Sequence, residues 1–188
     1  MRAGRSAVFI LGLAVLLLPA MVAGALPEGE KQLRLQRADG STLRIGTVTF
    51  EALGDGRSRF RVAMDHAQFR DYFLSMKEFK CVGEAAEIHC HLPYPYARPD
   101  TVTETDLRWL EHALLFFYKR PDEFGARLRN GIYYRLEVTE RGLQGTPEAV
   151  DLDLIAAPPD DLTTAPFNAD ERVAIEPSER AFTGLLLE

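Results

Sequence analysis

Apolar and polar residues alternate from Gln32 onward: Leu33 and Leu35, then Leu43 and Ile45, then Val48 and Phe50. Asp39-Gly40 separates the first two pairs and suits a tight hairpin turn, since both residues tolerate positive φ. The apolar phase slips between Ile45 and Val48, beside Gly46, which predicts a bulge or sharp bend. Gly54, Asp55 and Gly56 make the next turn. Phe60, Val62 and Met64 then alternate with Arg59, Arg61 and Ala63 in a half-buried strand.

The period changes after Asp65, which stands at an N-cap position. Phe69, Tyr72, Phe73 and Met76 recur at helical spacing and predict a helix over residues 66–77, its aromatic stripe laid on a sheet. A second helix is predicted over residues 104–120, introduced by Thr103 and Asp106 and stopped by Pro121. Leu107, Leu110, Leu114 and Phe117 form its stripe, and Trp109, Ala113 and Phe116 widen it, so it needs cover on more than one side. Asn130-Gly131 opens the clearest strand, with Ile132, Tyr134, Leu136 and Val138 alternating, and Gly142 turns it back. Val150, Leu152 and Leu154 alternate with Asp151 and Asp153 in a further strand. Residues 158–170 read as a surface loop, and short strands at 173–175 and 182–187 close the chain.

Between the predicted helices lie both cysteines. Eight residues separate Cys81 from Cys90. A four-residue loop at 84–87 then pairs Gly83 with Ile88, Val82 with His89 and Cys81 with Cys90. Directly opposed residues have Cβ atoms about 4.5–5.5 Å apart, close enough for a disulfide after small adjustment. The register places Phe79, Cys81, Ile88, Cys90 and Leu92 on a core face, and Lys80, Val82, His89 and His91 on a face that mostly meets water. These elements predict an α+β fold: a mainly antiparallel curved sheet or partly closed barrel with two packed helices and one stapled hairpin. Strands and helices do not alternate, which excludes a doubly wound nucleotide-binding fold.

The first 25 residues change the picture of where this domain works. Arg2 and Arg5 precede an uncharged apolar run from Ala7, and Ala23, Gly24 and Ala25 supply small residues before Leu26. That is the layout of a cleaved secretory signal peptide, with a retained anchor as the competing reading because residues 7–26 carry no charge. Cleavage leaves residues 26–188 as a single domain in the periplasm or outside the cell, where a disulfide persists. The chain carries a formal charge of −6, and the mature part is more acidic still because Arg2 and Arg5 are lost. Nucleic acid and acidic membrane surfaces are therefore disfavoured partners.

Candidate chemistry is sparse. His89 and His91 leave one strand face two residues apart, a spacing that lets two imidazoles reach one Zn²⁺ at about 2.0–2.1 Å, with a carboxylate such as Glu78 or Glu87 completing the site. Tyr94, Tyr96 and Arg98 lie on a proline-stiffened loop that begins at Pro93, a combination enriched at protein interfaces. Asp151 and Asp153 are accounted for as the wet side of a strand. No Gly-x-Ser-x-Gly elbow and no glycine-rich phosphate loop is present. The sequence is read as an exported, non-enzymatic binding or accessory module for a protein or small ligand, acting without a cofactor. The alternative is a zinc-dependent hydrolase or metal-handling protein using His89 and His91.

Overall fold

Alternation carries the first three strands as the pattern predicts. The computed structural model describes residues 25–71, 79–83 and 85–188; residues 1–24 of the predicted signal peptide and the second half of the predicted first helix, with Tyr72, Phe73 and Met76, lie outside the described residues. Strands β1 (Gly29–Arg37) and β2 (Thr42–Gly54) meet through the Asp39-Gly40 turn, and β3 (Arg57–Met64) follows the Gly54 to Gly56 turn. The slip beside Gly46 is a bulge: Leu33 faces Gly46 and Arg34 faces Arg44, leaving Ile45 as the extra residue. Glycine is needed there because a Cβ on Gly46 would collide with the Ala63 carbonyl of β3.

The chain continues through β4 (Arg70–Asp71), β5 (Lys80–Gly83), β6 (Ile88–His91) and β7 (Thr101–Thr103). Next come helix α1 (Arg108–Ala113) and β8 (Phe116–Lys119), then the long hairpin of β9 (Gly131–Thr139) and β10 (Gly142–Val150). Strands β11 (Val173–Ala174) and β12 (Phe182–Leu187) close the chain. All pair antiparallel in one sheet of order β4-β5-β6-β8-β9-β10-β12-β1-β2-β3-β7, with β11 alongside β10. Leu33, Leu35, Ile45, Val48, Leu185 and Leu187 are fully buried on its inner side.

The stapled hairpin has the predicted register, Lys80 to His91 through Gly83 to Ile88, with Cys81 and Cys90 disulfide-bonded. Two other expectations are overturned. The α+β class with two packed helices gives way to a nearly all-β fold with a single short α-helix among the described residues. After Asp65 the chain makes one 3-10 turn (His66–Gln68) and enters β4 rather than a helix. Helix α1 ends at Leu114, and Phe116 to Lys119 pair with β6 as β8. The run Leu114 to Tyr118 is apolar on every side, so its periodicity does not separate a buried helix from a buried strand, and its aromatic residues favour the pleated form once β6 offers a ladder.

The predicted strand at Val150 to Leu154 is also displaced. It runs earlier, as β10, and stops at Val150; Asp151 then accepts from the Asp153 N–H at 3.0 Å and caps a 3-10 turn (Leu152–Ile155). Gly145 and Pro147 inside β10 hid the strand from a propensity reading. At the start of β10, Gly142 has φ 139°, and a Cβ there would overlap the Leu187 carbonyl of β12. Gly142→Ala is expected to cost on the order of 2 kcal/mol or more, because both the backbone angle and the contact forbid a methyl group. Urea unfolding checks this; an unchanged midpoint would show that the β10–β12 junction yields freely.

Candidate functional site

On the face of the hairpin predicted to meet water, Val82 and His89 are buried while Lys80 and His91 are half-exposed. His89 has no exposed surface and Val82 has 3%. The cause is β8, which pairs with β6 and places Phe116 against the imidazole, ring centroids 4.8 Å apart. Tyr134 of β9 and Phe182 of β12 complete the surround. Both ring nitrogens are engaged: Tyr134 Oη lies 3.0 Å from Nε2, and Glu87 Oε1 lies 3.3 Å from Nδ1. Burial depresses the His89 pKa. A neutral ring with its proton on Nδ1 donates to the Glu87 carboxylate and accepts from the tyrosine, satisfying all three groups.

Glu87 links this buried line to the surface. Its side chain is 8% exposed, and its other oxygen takes Arg180 Nη1 at 3.3 Å. The Arg180 guanidinium carbon lies over Tyr118, 3.8 Å from the ring centroid. Around this pair is an open groove of about 430 Å³ that includes Ala86, Arg120, Ser178 and Ala181 in its walls. A second hollow of about 510 Å³ adjoins it, sharing Ala86 and Arg120 and extending to Ala85 and Pro121. The hairpin tip, the end of β8 and the turn before β12 thus build one depression with a fixed cation in its wall. Nothing in the spacing of positions 87, 118 and 180 announces this grouping.

His91 sits apart from His89 in function: one ring nitrogen is 3.0 Å from the Ala113 carbonyl, at the end of α1. Among the described residues no group of three or more histidines, cysteines or carboxylates gathers that could hold a metal ion. Both nitrogens of His89 are already bonded inside the protein, and Glu78, one of the carboxylates expected to complete a zinc site, lies outside the described residues. A thiol nucleophile is closed as well, since Cys81 and Cys90 are fully buried in their disulfide.

In the proline-stiffened loop one of the three expected contact residues is buried. Tyr94 is 2% exposed and packs edge-on to Tyr96, with ring centroids 5.4 Å apart, and close to Trp109 and His112. Its N–H donates to the His112 carbonyl at 2.9 Å. Arg98 reaches back to the Tyr94 carbonyl at 3.2 Å and pairs with Asp100 at 3.3 Å, so it ties down its own loop. Tyr96 and Arg98 are half-buried.

A second buried polar centre lies under α1. Glu111 is 4% exposed; its Oε1 accepts the Leu136 N–H at 2.7 Å and its Oε2 accepts the Tyr133 hydroxyl. Burial raises its pKa against the pull of those two donors. Next to it His112, fully buried, has Nδ1 2.6 Å from the Arg108 carbonyl, and its Nε2 receives the Phe167 N–H at 3.2 Å. Phe167 stacks on the imidazole at 5.4 Å and anchors a stretch read from sequence as a surface loop. Arg172 covers Tyr133 at 4.8 Å and pairs with Glu148 at 3.1 Å. Both Glu111 oxygens, the Tyr133 hydroxyl and both His112 nitrogens have partners, which makes the centre a structural bolt.

Comparison of the chain with protein families, with characterised proteins and with solved structures found no match. Among the described residues, no helix is long and apolar enough to cross a membrane.

Two outcomes follow for stability. Tyr94→Ala should cost about 3–5 kcal/mol, as large-to-small aromatic changes in a core do, read by urea unfolding; a near-neutral result would return Tyr94 to the surface. The histidines set a pH dependence. Burial holds His91 and His112 down to about 4 and lowers His89 from 6.5. The unfolded chain therefore takes up these protons first as pH falls below 6.5, and stability present above that value is lost toward pH 4. The slope is at most about 1.4 kcal/mol per pH unit for each histidine. Glu111, shifted upward, opposes them because its protonation favours the folded state. With three groups against one, the urea midpoint should be lower at pH 5 than at pH 7, and His112→Gln should narrow the difference. Equal midpoints would mean that the carboxyl group offsets the histidines, and a higher midpoint at pH 5 that it dominates.

Proposed function

We propose that the protein is an exported, non-enzymatic binding module of the cell envelope, and that its recognition surface is the groove beneath the hairpin tip. The observation that carries this reading is Arg180, held over Tyr118 and tethered to Glu87 in the wall of an open depression. A guanidinium fixed in this way loses little entropy on meeting an anion and offers paired donors to a carboxylate. Ala86, Ala181 and the Tyr118 ring supply apolar walls. The ligand class that matches is an apolar or aromatic body carrying a carboxylate, whether a small molecule or an acidic, aromatic segment of a protein.

Glu87 carries a second role in this reading. It neutralises Arg180 in the empty groove, and the buried His89 and Tyr134 hold it in place, so the cation keeps one orientation. In this reading the recognition chemistry lies away from Tyr94 and His89, which are buried.

Titration with a series of aryl and alkyl carboxylates and their amides, followed by calorimetry, tests the groove. Carboxylates should bind and amides should not, and Arg180→Ala should weaken binding by about tenfold or more, the loss typical of a charge-assisted pair. Equal binding of acids and amides would remove the cation from the mechanism. Export has its own check: N-terminal mass analysis of the protein from its native compartment should find Leu26 first, whereas Met1 intact would favour a retained anchor.

A further inference from the structure

Beside the groove the chain makes a turn that is fastened on both sides of an unburied aromatic residue. The Arg120 N–H donates to Glu123 Oε2 at 2.8 Å, the Glu123 N–H donates to the Arg120 carbonyl at 3.1 Å, and the Lys119 ammonium donates to the Glu123 carbonyl. Arg127 lies 3.7 Å from the same carboxylate. Beyond the turn, Gly125 takes φ 75°, and Ala126 and Leu128 return to pack on the core. Between these fixed points Phe124 projects with its side chain fully exposed, more so than Leu154, Leu162 or Val173. A ring held out by a locked turn is pre-organised for contact, because the ordering cost of its backbone is already met in the free protein.

The hollow that could receive such a ring is on the same face. Arg120, Pro121 and Asp122, which lead directly into Phe124, also form one wall of the 510 Å³ depression. Benzene occupies cavities of only about 150 Å³, so a phenyl ring fits with room for its flanking backbone. A projection and a hollow side by side on one surface are self-complementary under a two-fold axis: each copy gives its ring to the other and receives one. The charges agree with that exchange. Asp122 and Glu123 precede Phe124, while Arg120 and Arg180 line the groove; Arg120 holds its own Asp122 at 2.9 Å in an exposed pair and Arg180 holds Glu87, so the exchange replaces in-chain pairs with equivalent ones across the two-fold. Asp122-Glu123-Phe124 is itself an aromatic body with adjoining carboxylates, the ligand class assigned to the groove above.

We infer that two copies of this chain associate through the turn at residues 120–125, with Phe124 of each seated in the groove of the other. This rests on the reading of the groove as a recognition surface and names its occupant. The two-fold arrangement buries the most exposed large apolar side chain among the described residues and closes the interface, so association stops at the dimer.

Sedimentation velocity of the mature chain across a wide concentration range tests it. Dimer should form as concentration rises, and Phe124→Ala should raise the dissociation constant at least about tenfold, as loss of a central aromatic anchor does, with the thermal midpoint unchanged. Ala86→Trp, which fills the hollow while sparing the ring, should weaken the dimer equally. Mixing the two variants should restore partial association, because one ring and one hollow then remain intact. A monomer at every concentration, a dimer that survives Phe124→Ala, or a dimer indifferent to Ala86→Trp would each overturn the inference. A monomer that still binds carboxylates through Arg180 would leave the proposed function standing and remove the second copy alone.

Discussion

The Glu111 carboxylate is the constraint on which the centre of this fold depends. Strands β8 and β9 pair over only two residues, Phe116 with Ile132 and Phe117 with Gly131. Further along β9, the neighbouring position is occupied by α1, which offers no ladder. A strand left beside a helix has backbone donors to satisfy, and a buried N–H without a partner costs about 1–3 kcal/mol. Glu111 supplies the missing acceptor to Leu136 and takes the Tyr133 hydroxyl with its second oxygen. One acidic side chain thus lets the sheet exchange a strand for a helix without leaving a hole in its hydrogen bonding. The neighbouring His112 repeats the device for the Phe167 backbone.

Much of the fold was legible because local rules and tertiary outcome agreed. The hairpin register followed from the eight-residue gap between Cys81 and Cys90 and the two-residue period of a strand. The Gly46 bulge followed from a slip in the apolar phase. Prediction failed where the sequence is apolar on all sides: residues 114–118 satisfy a helix and a strand equally, and the choice belongs to β6, a partner distant in sequence. The same partner explains His89. A histidine between hydrophobic neighbours on a two-strand hairpin belongs in water, but once β8 joins the hairpin, Phe116, Tyr134 and Phe182 enclose His89.

The groove was far less legible than the fold. Glu87, Tyr118 and Arg180 are scattered over three elements, and each is unremarkable where it stands in the chain. They meet because β6 pairs with β8 and because the turn over Pro177 to Glu179 carries Arg180 back toward the hairpin. Tyr94 shows the converse. Its proline-rich setting looks like an exposed recognition loop, yet the N–H bond to the His112 carbonyl draws the ring beneath α1. Stiff, aromatic loops serve cores as readily as interfaces, and only burial separates the two.

The order of the strands has a consequence for how the protein comes to be folded. Strand β12, the last in the chain, lies between β10 and β1 and is the only hydrogen-bonded link joining β1, β2, β3 and β7 to the rest of the sheet among the described residues. The first strands to leave a ribosome or a translocation pore therefore wait, unpaired along one edge, for the last. Contacts between such distant parts of a chain form slowly, since the intervening loop must be closed before any bond rewards it. A chain that reaches its final compartment unfolded loses nothing by this delay, whereas one released in the middle of synthesis would expose the apolar edge of β1 to its neighbours.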